Sequence, residues 1–339
     1  MADSRAPQPV RFLPLLVAAA LAAFGANSIL CRAALDSESI DPLSFALLRV
    51  TSGAIVLLVV LGIRGRGRRS GPGARRWSTP DWIAATMLAV YLVPFSWAYT
   101  QVQAGTGALL LFGAVQSTLL LAALVSGERP RANQWLGIGL AFGGLCLLAA
   151  PGAQAPPAGG AVAMGLAGAA WGFYTLRGRR AGDPVAATAT NFVAATPMVL
   201  AAAAAATFSS FRFHTTVDGV VLAVASGALA SALGYIAWYA AMRSLSATCA
   251  ALLQLAVPLL AATGGVVLLG EPLHARLVVA GLVVVGGFAL AFVVPSTRRS
   301  KPRLDQEASP STDSRATWAS QIARTRSNVS ASAGVLSGR

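Results

Sequence analysis

Charged residues are scarce in this chain of 339 residues: they make up 11% of it, whereas hydrophobic residues make up 55%. Soluble domains carry about 25% charged residues, so an ordinary soluble fold is excluded. Apolar runs of about 20 residues, the length that crosses a bilayer, recur from residue 12 to residue 294. The sequence therefore predicts an integral membrane protein.

Acidic and histidine side chains are missing from the interior of these apolar runs. Every Asp and Glu falls in a connection, in a tail or at the end of a run, and both histidines, His214 and His274, fall in connections. The sequence thus offers no buried carboxylate or histidine for a proton relay. It also has no phosphate-binding loop and no HExxH pair. Passive facilitation or exchange therefore fits the chain as well as active transport.

Cysteine is rare too, and Cys31, Cys146 and Cys249 lie far apart with no CxxC motif and no nearby histidine. This spacing favours small buried hydrophobes over a disulfide or a metal site. No nucleophile–base pair stands out either. We therefore expect no metal, no cofactor and no enzymatic activity, with a membrane-embedded enzyme as the weaker alternative.

Ten apolar runs are present, and none alternates between apolar and polar residues, so each predicts a helix rather than a barrel strand. The predicted spans are Phe12–Leu30, Leu43–Ile63, Trp82–Tyr99, Thr106–Ser126, Trp135–Ala150, Ala161–Leu176, Ala187–Phe208, Val217–Met242, Thr248–Leu269 and Leu277–Val294. The first run also resembles a signal peptide, but it is long for one and nine further spans follow it.

The sequence contains an internal repeat. A shift of 143 positions superposes Gly127-Glu128 on Gly270-Glu271, and it also matches Ala104 with Ala247, Ala108-Leu109-Leu110 with Ala251-Leu252-Leu253, and Gly143-Gly144 with Gly286-Gly287. A repeated unit with an odd number of spans must cross the bilayer in opposite senses. We therefore predict an all-α integral membrane protein whose ten transmembrane helices form two inverted five-helix repeats.

The predicted organisation follows from this repeat and from shifts in composition. A Pro/Gly linker separates the two units, and a Ser-, Arg- and Thr-rich tail after the last span is too polar to fold. The predicted segments are a cytoplasmic N-terminus at 1–11, the first repeat at 12–150, the linker at 151–160, the second repeat at 161–295 and a disordered cytoplasmic tail at 296–339.

The net charge of +14 reflects orientation rather than a nucleic-acid partner. With the N-terminus in the cytoplasm, the connections outside hold only Arg32, Arg212 and Arg276, and the remaining basic connections fall inside. This is the positive-inside rule. We expect a multi-pass protein of the cell (inner) membrane with both termini cytoplasmic. Arginine outnumbers lysine 25 to 1 in this alanine-rich chain, which favours a bacterial source.

The two units share further features, and together these resemble the EamA family of the drug/metabolite transporter superfamily. Each unit has an aromatic-Gly pair in its first helix, Phe24-Gly25 and Trp171-Gly172, and a Glu closing its fourth helix. Arg49 lies in the second helix, and the resemblance covers nearly all of 12–295. It implies cytoplasmic termini, a central cavity between the halves, and export or exchange of small metabolites such as amino acids.

Arg49 is the one charge well inside a predicted span, about seven residues or roughly 10 Å from the end of its helix. Placing it there costs about 2.5–3.5 kcal/mol, which the apolar residues of the helix offset. It either binds a substrate carboxylate or phosphate, or it holds helix ends together; the sequence leaves both open. Intramembrane charge is by default a functional hypothesis.

Polar and aromatic side chains at helical spacing supply the other cavity candidates. Asn27 and Ser28 should lie at the depth of Arg49, and either line the cavity or join helices. Two aromatic stripes approach the cytoplasmic boundary, Trp171 and Tyr174 on the sixth predicted span and Tyr235, Trp238 and Tyr239 on the eighth. At that depth we favour an interfacial aromatic belt over a cavity wall. The full candidate set is Phe24, Asn27, Ser28, Arg49, Tyr91, Gln116, Trp171, Tyr174, Tyr235, Tyr239 and Gln254.

Helix ends and prolines form a structural set. Glu128 and Glu271 stand just before helices five and ten, where a carboxylate favours the positive end of a helix. Pro94 and Pro258 interrupt helices three and nine, and each frees a backbone carbonyl.

The function expected from these features is secondary transport, as an exporter or exchanger, of an amino acid or related amphipathic metabolite by alternating access. The partners are that small molecule and the bilayer. The oligomeric state is open between monomer and homodimer, and a non-transporting or lipid-translocating subunit is the alternative.

Overall fold

The computed structural model describes residues 12–67, 79–127, 132–150, 152, 155–178, 181–245 and 247–293. The predicted tail, the first eleven residues and Glu128 lie outside these ranges. The helices are α1 (Leu13–Asp36), α2 (Pro42–Gly67), α3 (Trp82–Ala98), α4 (Ala104–Val125), α5 (Ala132–Ala149), α6 (Ala158–Gly178), α7 (Pro184–Ala206), α8 (Val217–Ala225), a π-helical segment (Ser226–Leu233), α9 (Gly234–Met242), α10 (Ala247–Gln254), α11 (Ala256–Leu269) and α12 (Ala275–Val293).

The all-helical prediction is confirmed. Within the described ranges the only extended pairing is one isolated bridge between Ile40 and Thr215. By length and composition, six helices of the described chain can cross a membrane. Three apolar helices are shorter, at Trp82–Ala98, Gln134–Ala149 and Ala275–Ala291. The protein is therefore a helical, multi-pass membrane protein.

Aspartates begin several of the helices. Asp41 accepts hydrogen bonds from the amides of Leu43 (3.1 Å) and Ser44 (2.9 Å) at the start of α2. Asp183 does the same at the start of α7, and Asp81 at the start of α3. These carboxylates satisfy amides that have no partner within the helix. Asp41 and Asp183, which precede the second and seventh predicted spans, are therefore helix caps.

Two predicted spans are not continuous α-helices. The eighth contains the π-helical segment between α8 and α9, and the ninth breaks at Leu255 between α10 and α11. Pro258 lies in the first turn of α11 and cannot donate a hydrogen bond to the carbonyl of Gln254. Pro94, in contrast, lies inside a helix that continues from Trp82 to Ala98.

The residues of the first unit interdigitate with those of the second. Helix α1 packs against the π-helical segment, α9 and α11, whereas α6 packs against α3 and α4. Helix α2 packs against α7, α4 against α11, and α5 against α12. The main buried core lies among α1–α4, α6, α7 and α9, and a smaller apolar cluster joins α5 to α12.

Glycines allow several of these close contacts. A Cβ added to Gly25 would meet the Cβ of Leu260 in α11 at 3.0 Å, and one added to Gly172 would meet the Cβ of Thr118 in α4 at 2.8 Å. The glycine of each aromatic-Gly pair therefore lets the first helix of its unit approach the fourth helix of the other. The aromatic partner is left to point toward the centre of the bundle.

Candidate functional site

Arg49 is buried at the centre of the bundle, with 1% of its surface exposed. Its Nε donates to the hydroxyl of Ser231 at 3.1 Å, and its Nη2 donates to the hydroxyl of Tyr91 at 2.8 Å. The guanidinium also lies 4.8 Å from the ring centre of Phe95 and 5.0 Å from that of Tyr91. Stacking on two rings stabilises a desolvated cation. No ion pair to Arg49 is found among the described residues.

One donor nitrogen of this guanidinium, with its two N–H groups, is unused. The Nη1 of Arg49 is buried and has no hydrogen-bond partner among the described residues. A buried, charged donor left without a partner costs free energy, and such a group in a native structure calls for an explanation. An anionic ligand would provide one, since arginine binds carboxylate and phosphate with two donors at once.

Asn27 and Ser226 extend the network toward α1. The side-chain amide of Asn27 donates to the hydroxyl of Tyr91 at 3.3 Å, and the hydroxyl of Ser226 donates to the Oδ1 of Asn27 at 2.6 Å. Asn27 and Tyr91 come from the first unit, and Ser226 comes from the second. The polar network therefore spans the boundary between the two units.

The π-helical segment is what brings two serines to this network. Ser226 and Ser231 are five residues apart, the hydrogen-bonding interval of a π-helix. Between them, Gly227 lies so close to α2 that an added Cβ would collide with the carbonyl oxygen of Arg49 and the hydroxyl of Ser52. Sequence reasoning missed both serines, because residues five apart point about 140° away from each other on an ordinary α-helix.

Aromatic rings from four helices form the wall beside this network. The ring centre of Phe24 lies 5.9 Å from that of Tyr235, 5.8 Å from that of Trp238 and 6.5 Å from that of Trp171. Trp171 also lies 5.1 Å from Tyr91 and 5.0 Å from Tyr235. Edge and tilted contacts of this kind stabilise a cluster beyond the area it buries. The wall joins both aromatic-Gly pairs.

A small cavity lies between the polar network and the aromatic wall. Its volume is about 20 Å³, which suits a single water molecule but no metabolite. It is lined by Phe24, Asn27, Ser28, Tyr91, Phe95, Leu111, Phe112, Trp171, Ala230 and Tyr235.

Six of the eleven predicted cavity residues line this cavity, and Arg49 contacts it through Tyr91. Four others do not line it. Tyr174 stacks on Trp171 at 5.3 Å, and the hydroxyl of Tyr239 lies beside Gly178. Gln116 is buried in α4 and Gln254 is buried at the end of α10.

The interfacial-belt interpretation is wrong for most of the aromatic stripes. Trp171, Tyr174, Tyr235 and Trp238 are between 1% and 7% exposed, so they face protein and not the membrane surface. These residues lie on α6 and α9, and each of the two helices packs against helices of the other unit. Their side chains therefore point inward. Phe95 is not among the predicted cavity residues, although Tyr91 and Phe95 stand at i and i+4 on one face of α3.

Glu271 acts at a different helix from the one expected. Both of its carboxylate oxygens accept from the amide of Ala104, at 3.1 and 2.9 Å, so it caps the start of α4 rather than α12. It also forms an ion pair with the Nε of Arg32 at 3.1 Å. The turn brings it there because Gly270 adopts a left-handed conformation with φ of 66°.

A larger cavity of about 300 Å³ lies elsewhere, between α4, α11 and α12. Its lining is almost wholly apolar, from Leu109 and Leu259 to Val266 and Leu282. It contains none of the polar groups described above, so it offers no means of orienting a polar solute. Among the described residues no cluster of three or more His, Cys, Asp or Glu side chains could hold a metal ion.

Comparison with known proteins gives one family. The model of the EamA-like transporter family matches residues 12–150 and 158–293. An uncharacterized protein of Pseudomonas aeruginosa is 51% identical over 284 residues, covering 83% of this chain and 95% of that protein. A probable terminal-alkyne amino-acid exporter of Streptantibioticus cattleyicolor is 30% identical over 286 residues, covering 82% of this chain and 91% of that protein.

A solved crystal structure of a protein has a TM-score of 0.58 to this chain at 21% identity. The match covers 86% of this chain and 99% of the solved one. It shows a shared fold.

Proposed function

Because the chain belongs to the EamA-like transporter family, within the drug/metabolite transporter superfamily, we propose that this membrane transporter exports or exchanges a small carboxylate-bearing metabolite of the amino-acid type. The observation that carries the proposal is the buried guanidinium of Arg49, which has an unused donor beside an aromatic cavity. Its counter-ion would be the substrate carboxylate. The alternative is that Arg49 only stabilises the fold, and this would leave that donor without a partner.

The aromatic wall supports the rest of this substrate description. Rings of Phe24, Trp171 and Tyr235 offer an apolar surface for a side chain and their faces suit an ammonium group. Among the residues that the structure describes, no Asp or Glu lines the cavity. A relative at 30% identity that is named a probable terminal-alkyne amino-acid exporter supports a cargo with a carboxylate and an unsaturated or apolar side chain.

We propose that ten transmembrane helices form two inverted units, 12–150 and 161–295. Helix contacts support this architecture, because exchanging the units leaves the pattern of contacts unchanged. Helix α1 packs on α11 as α6 packs on α4, and α5 packs on α12. Five spans per unit reverse the second unit in the bilayer. The distribution of arginine supports an orientation in a bacterial inner membrane with both termini in the cytoplasm.

The size of the cavity supports alternating access. At about 20 Å³ the cavity cannot hold an amino acid, so substrate binding requires the site to widen, and in this proposal the two units separate on one side at a time. The polar network joins the units through Asn27–Ser226 and Arg49–Ser231. These hydrogen bonds must therefore rearrange when substrate enters.

Export by cells that overproduce the protein tests the proposal. We expect Arg49→Ala to lower export by about tenfold or more, because hydrogen bonds to a charged group contribute about 1.5–3 kcal/mol and about 1.4 kcal/mol is a factor of ten. Arg49→Lys keeps the charge without the planar fork and should retain part of the activity. The measurement is untargeted profiling of spent medium, normalised to protein in the membrane.

Arg64→Ala is the matched control, since Arg64 lies in the same helix but is exposed near its end. It should export as the unmodified protein does. Equal export by Arg49→Ala and the unmodified protein would reject substrate binding by Arg49. The absence of any exported compound would favour the non-transporting or lipid-translocating subunit.

A further inference from the structure

A partly buried ion pair joins the two units at one end of the bundle. Arg32 of α1 contacts Glu271 of the turn between α11 and α12, with 3.1 Å between Nε and Oε1. The two side chains are only 13% and 9% exposed. Arg32 also reaches Asp36 at 2.6 Å, but that carboxylate is 57% exposed. The Arg32–Glu271 pair is therefore the desolvated member of the cluster.

The same pair holds two helix ends. Glu271 caps the first amide of α4, while the Nη1 of Arg32 donates to the carbonyl of Tyr99, which follows α3, at 2.9 Å. An added Cβ at Gly265 would collide with the carboxylate of Glu271, so the glycine leaves room for it. One ion pair thus connects α1, the α3–α4 connection and the α11–α12 turn.

This cluster stands directly above the candidate substrate cavity. On α1, Arg32 follows Asn27 by five residues, about 7 Å along the helix axis. On α4, the cavity residues Leu111 and Phe112 lie two turns after the capped residue Ala104. Between the cavity and the pair lies Cys31, which is fully buried. A solute leaving the cavity at this end must pass the pair.

The opposite end has an exposed counterpart. Arg177 of α6 contacts Asp81 before α3 at 2.5 Å, with the side chains 43% and 35% exposed. The guanidinium of Arg177 holds the pKa of Asp81 below its usual range, so this pair persists at neutral pH. Exposed pairs contribute little, whereas breaking a buried pair from one side leaves an uncompensated charge. The two ends of the bundle therefore differ, because the ion pair at one end is largely shielded from solvent and the pair at the other end is exposed.

We propose that Arg32 and Glu271 form the outer gate of the transporter, and that release of substrate to the outside requires this pair to separate. The proposal rests on the function and orientation proposed above, which put Arg32 and the α11–α12 turn outside. Glu271 thereby does more than cap a helix. The Asp81–Arg177 pair lies at the inner end and is more exposed to solvent.

Cys31 provides a natural reporter of the gate. The chain has three cysteines, and Cys146 and Cys249 are exposed. In a Cys146→Ser/Cys249→Ser background, Cys31 is the only target for a membrane-impermeant maleimide added to intact cells. We expect little labelling of the background protein, and several-fold faster labelling after Glu271→Gln. A carboxamide keeps an acceptor for the Ala104 amide but loses the charge that holds Arg32.

Arg32→Gln is the second variant, because it breaks the pair while leaving Glu271 free to cap α4. It should also speed the labelling of Cys31. Asp36→Asn is the matched control, since it removes only the exposed partner of Arg32, and it should label at the background rate. Arg177→Gln, at the other end, should not increase labelling from outside.

Unchanged labelling in both Glu271→Gln and Arg32→Gln would overturn the gate. Failure of both variants to accumulate in the membrane would also overturn it, in favour of a purely structural role. Labelling needs no knowledge of the cargo, so it separates this proposal from the proposed function. Faster labelling without any exported compound would support the gate and reject metabolite export.

Discussion

Arg49, a buried cation with no counter-ion in the described part of the chain, is the residue-scale feature that defines this protein. Arg49 costs about 2.5–3.5 kcal/mol to place near the middle of a span. Two hydroxyl groups and two aromatic rings compensate for part of its lost hydration. They leave one donor open, which is a state suited to receiving an anion.

Tyr91 is the residue that joins Arg49 to Asn27, and Tyr91→Phe tests that role. The substitution keeps the ring that faces the guanidinium but removes the hydroxyl that both side chains contact. We expect a loss of about 1–3 kcal/mol in the free energy of unfolding, because buried donors lose their acceptor, and lower export. Thermal unfolding of purified protein and export assays measure the two effects.

Tyr239→Phe serves as the control for this substitution, because Tyr239 does not line the cavity. Its export should equal that of the unmodified protein. Equal losses in both variants would show that the hydroxyl of Tyr91 has no special role in transport.

At the scale of elements, the site is shaped by interruptions in the eighth and ninth predicted spans. The π-helical segment presents Ser226 and Ser231 on one side, and the break at Leu255 divides the ninth predicted span into α10 and α11. Interruptions of this kind are tolerated in membranes where neighbouring helices supply the missing partners. Both lie in the second unit.

Gly227→Ala tests the close approach of the π-helical segment to α2. The new Cβ would collide with the carbonyl oxygen of Arg49, and backbone cannot yield as a flexible side chain can. We expect a destabilisation of about 1–3 kcal/mol, typical of overpacking, with reduced export. Thermal unfolding measures the first effect.

Gly165→Ala is the matched control, since nothing lies within 4 Å of a Cβ added to that helical glycine of α6. It should unfold at the same temperature as the unmodified protein or slightly above it. A Gly227→Ala protein as stable as this control would contradict the tight contact between α2 and the π-helical segment.

At the scale of the whole molecule, two units share every major interface. The first helix of each unit packs on the fourth helix of the other, and the fifth helices pair with each other. Such interdigitation means that neither unit has a complete core of its own, because the main cluster draws on residues of both. Movement between the units therefore has to exchange one set of buried contacts for another.

Reporter fusions test the proposed inversion. Tags placed after Glu128 and after Glu271 should lie on opposite sides of the membrane, the first in the cytoplasm, because five spans separate the two turns. Alkaline phosphatase and a cytoplasmic fluorescent protein report the two sides. A fusion after residue 10 gives the cytoplasmic reference, and finding both turns on one side would refute the inverted architecture.

The sequence by itself determined the membrane environment, the approximate ends of the helices and the family. These follow from local properties. A run of about 20 apolar residues crosses a bilayer, and its backbone N–H and C=O groups must form hydrogen bonds within the segment. The aspartates that cap helices lie within a few residues of the helix start. The same reasoning found Asn27, Arg49 and Tyr91, because polar groups inside apolar helices stand out against their surroundings.

Only the tertiary structure decided which side chains meet. Lipid and protein interior are equally apolar, so a membrane helix carries little signal for the direction its faces point. For that reason the sequence favours the membrane surface for the aromatic stripes of the sixth and eighth predicted spans, although Trp171 and Tyr235 of those stripes line the cavity. Glu271 finds its partners 167 and 239 positions away, in Ala104 and Arg32. Contacts at that distance depend on how whole helices pack, which local spacing does not encode.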